Sequence, residues 1–347
     1  MVVSSMHSIG ALDCTVRVLG TGGTIAGTAH AGAPENAYKA GQVAVEDLLK
    51  PLLPGLRGRI GQVQALQVAQ VDSRNMEHAV WQRLAAELQA GLDDPTVLGQ
   101  VVTHGTDTLE ETAVFLQGVL RGSKPVVLTA AMRPATSAQA DGPRNLLQAL
   151  HLAVDPAAQG VWLAFGRQAW PAIQVRKVHP FALEAFCGGD GPPAAQWVCA
   201  GEQDGTPVGG NSGAWRWSES DLRAQAARPL AAEPVSLPAD VERWPRVEIV
   251  HSHAGADGRL LQLILTDPTV QGVVISATGN GSVHDRLQDT LRAALSQGRL
   301  KCHQILVASR CTRGWVVGEP DHGWPVASRL TPAQARVALM LQLAAVA

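Results

Sequence analysis

Val97-Leu98-Gly99-Gln100-Val101-Val102-Thr103-His104-Gly105-Thr106-Asp107-Thr108 is the stretch that decides the fold. A mostly apolar run, Val97 to Val102, breaks into Gly and Thr. Leu109, Ala113, Leu116 and Leu120 then recur at helical spacing. The same order stands upstream, where the mostly apolar Val16 to Leu19 runs into Thr21-Gly22-Gly23-Thr24. A buried strand that turns sharply and feeds a helix is the repeating unit of a doubly wound α/β sheet. Such sheets bind ligands outside the carboxyl ends of their strands. A threonine hydroxyl at such a spot can act as a nucleophile, and helix-start N–H groups can hold an oxyanion. Two such turns in one chain point to acyl transfer rather than to binding alone.

Outward from these turns, strand and helix signals alternate, as parallel α/β layers require. Strands are predicted at Thr15 to Leu19, Gln67 to Val71, Pro125 to Leu128 and Gly160 to Phe165. A short helix covers Val43 to Lys50, stopped by Pro51. Met76, Val80, Trp81, Leu84 and Leu88 mark one helical face, and Asp141-Gly142-Pro143 opens a further helix with a capping residue and an early proline. From about 188 to 243 the pattern dissolves into Gly, Pro, Ala and Ser. Order returns with strands at Val247 to Val250, Gly272 to Ser276 and Gln304 to Ala308. Helices are predicted near Gly258 to Leu265 and His284 to Leu295, and from Thr331-Pro332 onward. The expected division is an N-terminal domain over 1–224, a linker over 225–243 and a C-terminal α/β domain over 244–347.

At 347 residues two domains are the default. A formal net charge of −2 gives no general attraction to nucleic acid or to an anionic membrane, and no apolar run reaches the length of a membrane span. Met1 to Cys14 lacks a basic segment followed by an apolar one, so no secretory signal is predicted and a cytoplasmic location is expected. Five scattered cysteines without a C-x-x-C pair fit neither a disulfide framework nor a structural zinc site.

Several residues could carry chemistry. Gly20 to Gly27 (G-T-G-G-T-I-A-G) is not G-x-G-x-x-G, because its third glycine is out of step, so no nucleotide cofactor is expected. The plain reading of Thr24 is a residue of a tight connection. The plain reading of Thr106 and Asp107 is helix capping, which explains one such residue more easily than a run of them. Lys177, in Gln174-Val175-Arg176-Lys177-Val178, could serve as a base beside a threonine and an aspartate, though spacing alone favours a solvated surface lysine. Ser73 and Arg74 stand at a strand end, where they could bind a carboxylate or merely cap a turn. His251-Ser252-His253 would need a third ligand that spacing does not supply, so no metal is predicted. His104 reads as a packed histidine, and Tyr38 is the sole tyrosine.

Taken together, T-G-G-T-I-A-G at 21–27, T-H-G-T-D-T-L-E-E-T-A at 103–113 and A-M-R-P-A-T-S-A-Q-A-D-G-P-R-N-L at 131–146 resemble the bacterial-type L-asparaginase and glutaminase-asparaginase family. The resemblance spans nearly the whole chain. It implies a larger N-terminal and a smaller C-terminal α/β domain, assembled as a homodimer or homotetramer with sites between the domains of paired subunits. It implies Thr24 as nucleophile, Tyr38 as a mobile tyrosine that activates it, and Thr106, Asp107 and Lys177 as a second cluster. Ser73 and Asp107 would hold the α-carboxylate and α-amino groups of L-asparagine, and the Ala131 backbone would meet its side-chain amide. Arg74 stands where many secreted members have glutamine, and Gly255 falls near where some supply an asparagine from the partner subunit. The segment Ala26 to Ala37 is where a lid would lie. Glutamine hydrolysis on the same machinery is the nearest alternative. Further ones are an ammonia-supplying subunit, whose extra N-terminal domain has no room before Gly20, and a non-catalytic amino-acid sensor.

Overall fold

Chain order and pairing in the computed structural model follow from where the apolar runs lie. It describes residues 3–8, 14–30, 32, 34, 37–56, 58–199, 213–218, 223, 226, 230 and 233–346. Contacts divide the chain into two units, Met1–Pro229 and Leu230–Ala347.

Among its described residues the first unit carries eleven strands: β1 (Val3–Ser8), β2 (Thr15–Gly22), β3 (Gln62–Val71), β4 (Val97–Thr103), β5 (Val126–Thr129), β6 (Val161–Phe165), β7 (Gln168–Pro171), β8 (Arg176–Lys177), β9 (Phe186–Cys187), β10 (Ala195–Cys199) and β11 (Gly213–Trp217). Among the described residues its helices include α1 (Val45–Leu49), α2 (His78–Asp93), α3 (Leu109–Val119) and α4 (Gly142–Ala153). Nine strands form one sheet in the order β1-β3-β2-β4-β5-β6-β7-β10-β11. The stretch from β3 to β6 is parallel, and antiparallel strands finish both edges. Strand alternation sends Val16, Val18 and Val101 into a core with Val45 and Leu49 of α1 and Leu146 and Leu150 of α4. The intervening Arg17 and Gln100 bond instead to carbonyls of α2. Helices therefore cover both faces, as buried parallel strands require.

Two readings are corrected. The stretch from about 188 to 243 is not wholly irregular, because β10 and β11 extend the sheet from within it. Their inward residues Trp197 and Trp215 meet edge to face at 5.5 Å, and the Trp215 indole N–H donates to the Gln148 carbonyl at 3.0 Å. The expected linker lies partly outside the described residues. Asp141 precedes α4 but does not cap it with its side chain. Its carboxylate instead accepts from the backbone N–H groups of Met132, at 3.0 Å, and Arg133, at 2.9 Å, which lie in the turn after β5.

The second unit is a parallel sheet in the order β12 (Arg246–His251), β13 (Val270–Ala277), β14 (Ile305–Ser309). It carries α5 (Arg259–Thr266), α6 (Asp285–Ser296) and α7 (Pro332–Ala345). Thr331 and Gln334 form a reciprocal cap at the start of α7, as the Thr-Pro signal suggests. Among the described residues no helix is long and apolar enough to cross a membrane, and no group of three His, Cys, Asp or Glu could hold a metal ion.

Candidate active site

The parallel strands fix where a ligand can enter. From β2 the chain goes to β3 on one side and β4 on the other, so the order reverses beside β2. The carboxyl ends of β2 and β4 flank that switch point. The two threonine turns leave these ends, and the turn bearing Ser73 leaves β3. Together they line a cavity of about 220 Å³. The β2 turn contributes Gly23 and Thr24, with Tyr38 following. The β3 turn contributes Asp72, Ser73 and Arg74, and the β4 turn Gly105, Thr106 and Asp107. The volume lies below the roughly 300–1,000 Å³ of sites for drug-sized ligands, so a small polar molecule suits it.

The turns meet backbone to backbone. A Cβ on Gly23, where φ is +78°, would lie 2.3 Å from the Gly105 Cα. One on Gly105 would lie 2.5 Å from the Ser73 Oγ. Only glycine permits this approach. Ser73 then ties two turns together, since its Oγ accepts from the Asp107 N–H at 3.1 Å and its carbonyl from the Thr108 hydroxyl at 2.8 Å. The capping reading of Ser73 goes to its neighbour, because the Asp72 side chain accepts from the Arg74 N–H. Thr108 precedes α3 without capping it through its side chain.

A hydroxyl pair and a hydroxyl bound to an ammonium stand at the cavity. Thr24 is buried, and its Oγ1 lies 2.6 Å from the hydroxyl of the half-buried Tyr38. Thr106 Oγ1 accepts from Lys177 Nζ at 2.9 Å, and the same ammonium donates to Asp107 Oδ1 at 2.6 Å. Lys177 is thus not a solvated surface lysine, its side chain being 17% exposed. It arrives on β8, which pairs with β9 in a two-stranded sheet apart from the large one, and its backbone N–H donates to Glu110 Oε2 at 2.8 Å. Arg74 is exposed at the rim, with Nε 3.2 Å from Asp72 Oδ2.

Ala131 is fully buried beyond the end of β5 and is not among the residues lining the cavity. Its turn nevertheless packs on the Thr24 segment, since the Ala135 N–H donates to the Gly27 carbonyl at 2.9 Å. Within the expected lid, Ala31, Ala33, Glu35 and Asn36 lie outside the described residues. Reading by residue type passed over Asp72, Gly23, Gly105 and Glu110. For the glycines a signal existed, each preceding a candidate threonine. Glu110 had none, because its partner comes from a distant segment.

Residues 15–204 match the family model described as "Asparaginase, N-terminal", and residues 246–346 match "Glutaminase/Asparaginase C-terminal domain". The chain belongs to the asparaginase family. This family member is 31% identical to the "Probable L-asparaginase periplasmic" of Haemophilus influenzae, over 94% of this chain and 88% of the relative. It is 32% identical to the "Glutaminase-asparaginase" of Acinetobacter glutaminasificans, over 94% of each chain. The crystal structure of a "Probable Cytoplasmic L-asparaginase from Campylobacter jejuni" superposes with a TM-score of 0.78 at 32% identity, covering 95% of both chains.

Proposed function

We propose that the chain is an L-asparaginase that hydrolyses L-asparagine to L-aspartate and ammonia with Thr24 as nucleophile. The observation that carries this reading is the 2.6 Å approach of Thr24 Oγ1 and the Tyr38 hydroxyl in a cavity that also holds Thr106 and Asp107. The Thr24 oxygen bonds to the amide carbon as its proton moves to the Tyr38 hydroxyl, which hands its own proton on toward the amide nitrogen, and a tetrahedral oxyanion forms. Backbone N–H groups of the two turns stabilise that charge. The C–N bond breaks with a proton delivered to nitrogen, ammonia leaves, and an aspartyl ester on Thr24 remains. Water adds to the ester carbon, and cleavage of the C–O bond to Thr24 releases aspartate. Lys177, paired with Asp107, sets the state of the Thr106 hydroxyl. The Ser73 hydroxyl and Arg74 meet the substrate α-carboxylate, Asp107 its α-ammonium group, and the Ala131 backbone its side-chain amide.

Purified protein is expected to release ammonia from L-asparagine with a higher specificity constant than from L-glutamine. Thr24→Ala is expected to lose turnover while keeping its fold, and an active Thr24→Ala protein would sink the nucleophile assignment. A broader glutaminase-asparaginase is the second reading, favoured by the relatives that carry that name. The two amides differ by one methylene, worth only about 1–3 kcal/mol in a pocket, so equal specificity constants would select it.

The domain reading of 1–224, 225–243 and 244–347 is supported by the two contact units and by the spacing of the two family matches. A cytoplasmic location is supported by the name of the Campylobacter jejuni neighbour. Assembly as a homodimer or homotetramer is supported by Leu260 and Leu263, exposed one helical turn apart on α5. Light scattering is expected to find an oligomer whose dilution to monomer abolishes activity. Full activity in a demonstrated monomer would rule out a shared site.

A further inference from the structure

His104 is fully buried directly before the cavity residues Gly105 and Thr106, and the reaction above gives it no part. Its ring makes two hydrogen bonds. Nδ1 lies 2.7 Å from the Gly105 carbonyl and Nε2 lies 2.9 Å from Thr112 Oγ1. Thr112 Oγ1 in turn accepts from the Trp81 indole N–H at 2.8 Å. Each partner's chemistry fixes the direction of its bond. A carbonyl can only accept, so Nδ1 carries the proton. Burial pushes the imidazole down to about 4 and keeps it neutral near pH 7, so Nε2 is a lone pair that accepts from the Thr112 hydroxyl. The chain runs one way, from Trp81 to Thr112 to His104 to the Gly105 carbonyl.

That carbonyl shares a peptide plane with the Thr106 N–H, which in a trans peptide points the opposite way. We propose that His104 is a positioning residue: by holding the Gly105 carbonyl inward, it aims the Thr106 N–H at the cavity as an oxyanion donor. Without a donor on that carbonyl the plane is free to turn, and a carbonyl oxygen would then face the developing negative charge. Gly105 makes such a turn easy, since it lacks a side chain to resist it. The inference rests on the acyl-transfer reading of the cavity and adds to it what fixes one donor before substrate arrives.

The test compares His104→Leu, which has no donor, with His104→Asn, whose amide N–H can replace Nδ1–H. A donor made only to the transition state lowers kcat without moving KM. His104→Leu is expected to lose kcat by about tenfold to a hundredfold, approaching the loss from removing an oxyanion donor. KM for L-asparagine should stay unchanged, and His104→Asn should recover most of kcat. A folded His104→Leu with the kcat of the unaltered protein, or equal losses in both variants, would overturn the proposal. If His104→Leu does not fold, Thr112→Val removes the hydroxyl that fixes the tautomer and is expected to lower kcat at constant KM. Unchanged kcat there would count against it. Nitrogen-15 spectra of histidine-labelled protein are expected to show Nδ1 protonated and Nε2 bare, and the reverse tautomer would also overturn it. If the unaltered protein releases no ammonia, the acyl-transfer reading fails, while the spectra still report on the hydrogen-bond chain.

Discussion

Arg74 places a cation at the cavity rim beside its own anion, Asp72. The Arg74 side chain is 73% exposed, and pairs this exposed are worth only about 0–1 kcal/mol. Asp72 therefore steadies Arg74 without consuming it, and a substrate carboxylate can share the guanidinium. Such a contact exists in the ground state and the transition state alike. Arg74→Gln is expected to raise KM for L-asparagine several-fold and leave kcat unchanged. Steady-state kinetics check this, and a fall in kcat at constant KM would contradict it. At this scale the sequence is legible where residue type and strand end coincide, as at Thr24, Ser73 and Thr106. It is not legible for Lys177, which only the folding of β8 against α3 brings to Thr106. Nor is it legible for the bonds of His104, whose partner Thr112 lies on the next helix turn but faces inward only once Trp81 packs beside it.

Between elements, the tolerance of the site is set by two glycines. Gly23 has φ +78° and ψ −172°, a region that side chains avoid at a cost of about 1–3 kcal/mol. Its added Cβ would also strike Gly105 backbone, which cannot swing aside as a side-chain tip could. Overpacking of this kind costs about 1–3 kcal/mol more. Gly23→Ala should therefore lower the urea midpoint well beyond Gly298→Ala, a positive-φ glycine with open space around it, and should cut kcat by moving the two turns apart. Equal stability losses in the two variants would show that the turns can separate freely. The strands before these turns were legible because parallel strands buried on both faces read as continuous apolar runs. β10 and β11 were not, although Trp215-Arg216-Trp217 alternates with the period of a strand. They are short, flanked by Gly and Pro, and separated by the long Gly-rich stretch 200–212 rather than by a two- to five-residue hairpin turn, so their pairing depends on the sheet edge that β7 offers.

Over the whole molecule, stability is linked to pH through histidines that must stay neutral. Burial lowers His104 from 6.5 to about 4. Burial, then the charge of Arg59, lowers His151 from 6.5 to about 4, and its Nδ1 accepts from Arg59 Nη1 at 3.0 Å. In the unfolded chain both rings take up a proton near pH 6.5. Between about pH 6.5 and 4 the unfolded state therefore binds more protons than the folded one, and stability falls as pH falls. Above pH 6.5 the two states bind equally at these sites, and the contribution is intact. Each ring accounts for about 3 kcal/mol across the window, at 1.36 kcal/mol per unit. Asp94, Asp257 and Asp267 are held below 3.8 by bonds from Thr96, Arg259 and Thr269 respectively, so their main losses fall beneath this range. Urea midpoints are expected to drop from pH 7 to pH 5, and His151→Phe should shallow that slope by removing one of the lowered rings. The Phe ring keeps the contact that His151 makes with Trp197, at 5.0 Å between centroids, so packing loss should lower the whole curve evenly rather than tilt it. A His151→Phe curve parallel to that of the unaltered protein would mean that His151 carries no linkage. The acid sensitivity would then lie in His104 and in His322, which burial also lowers.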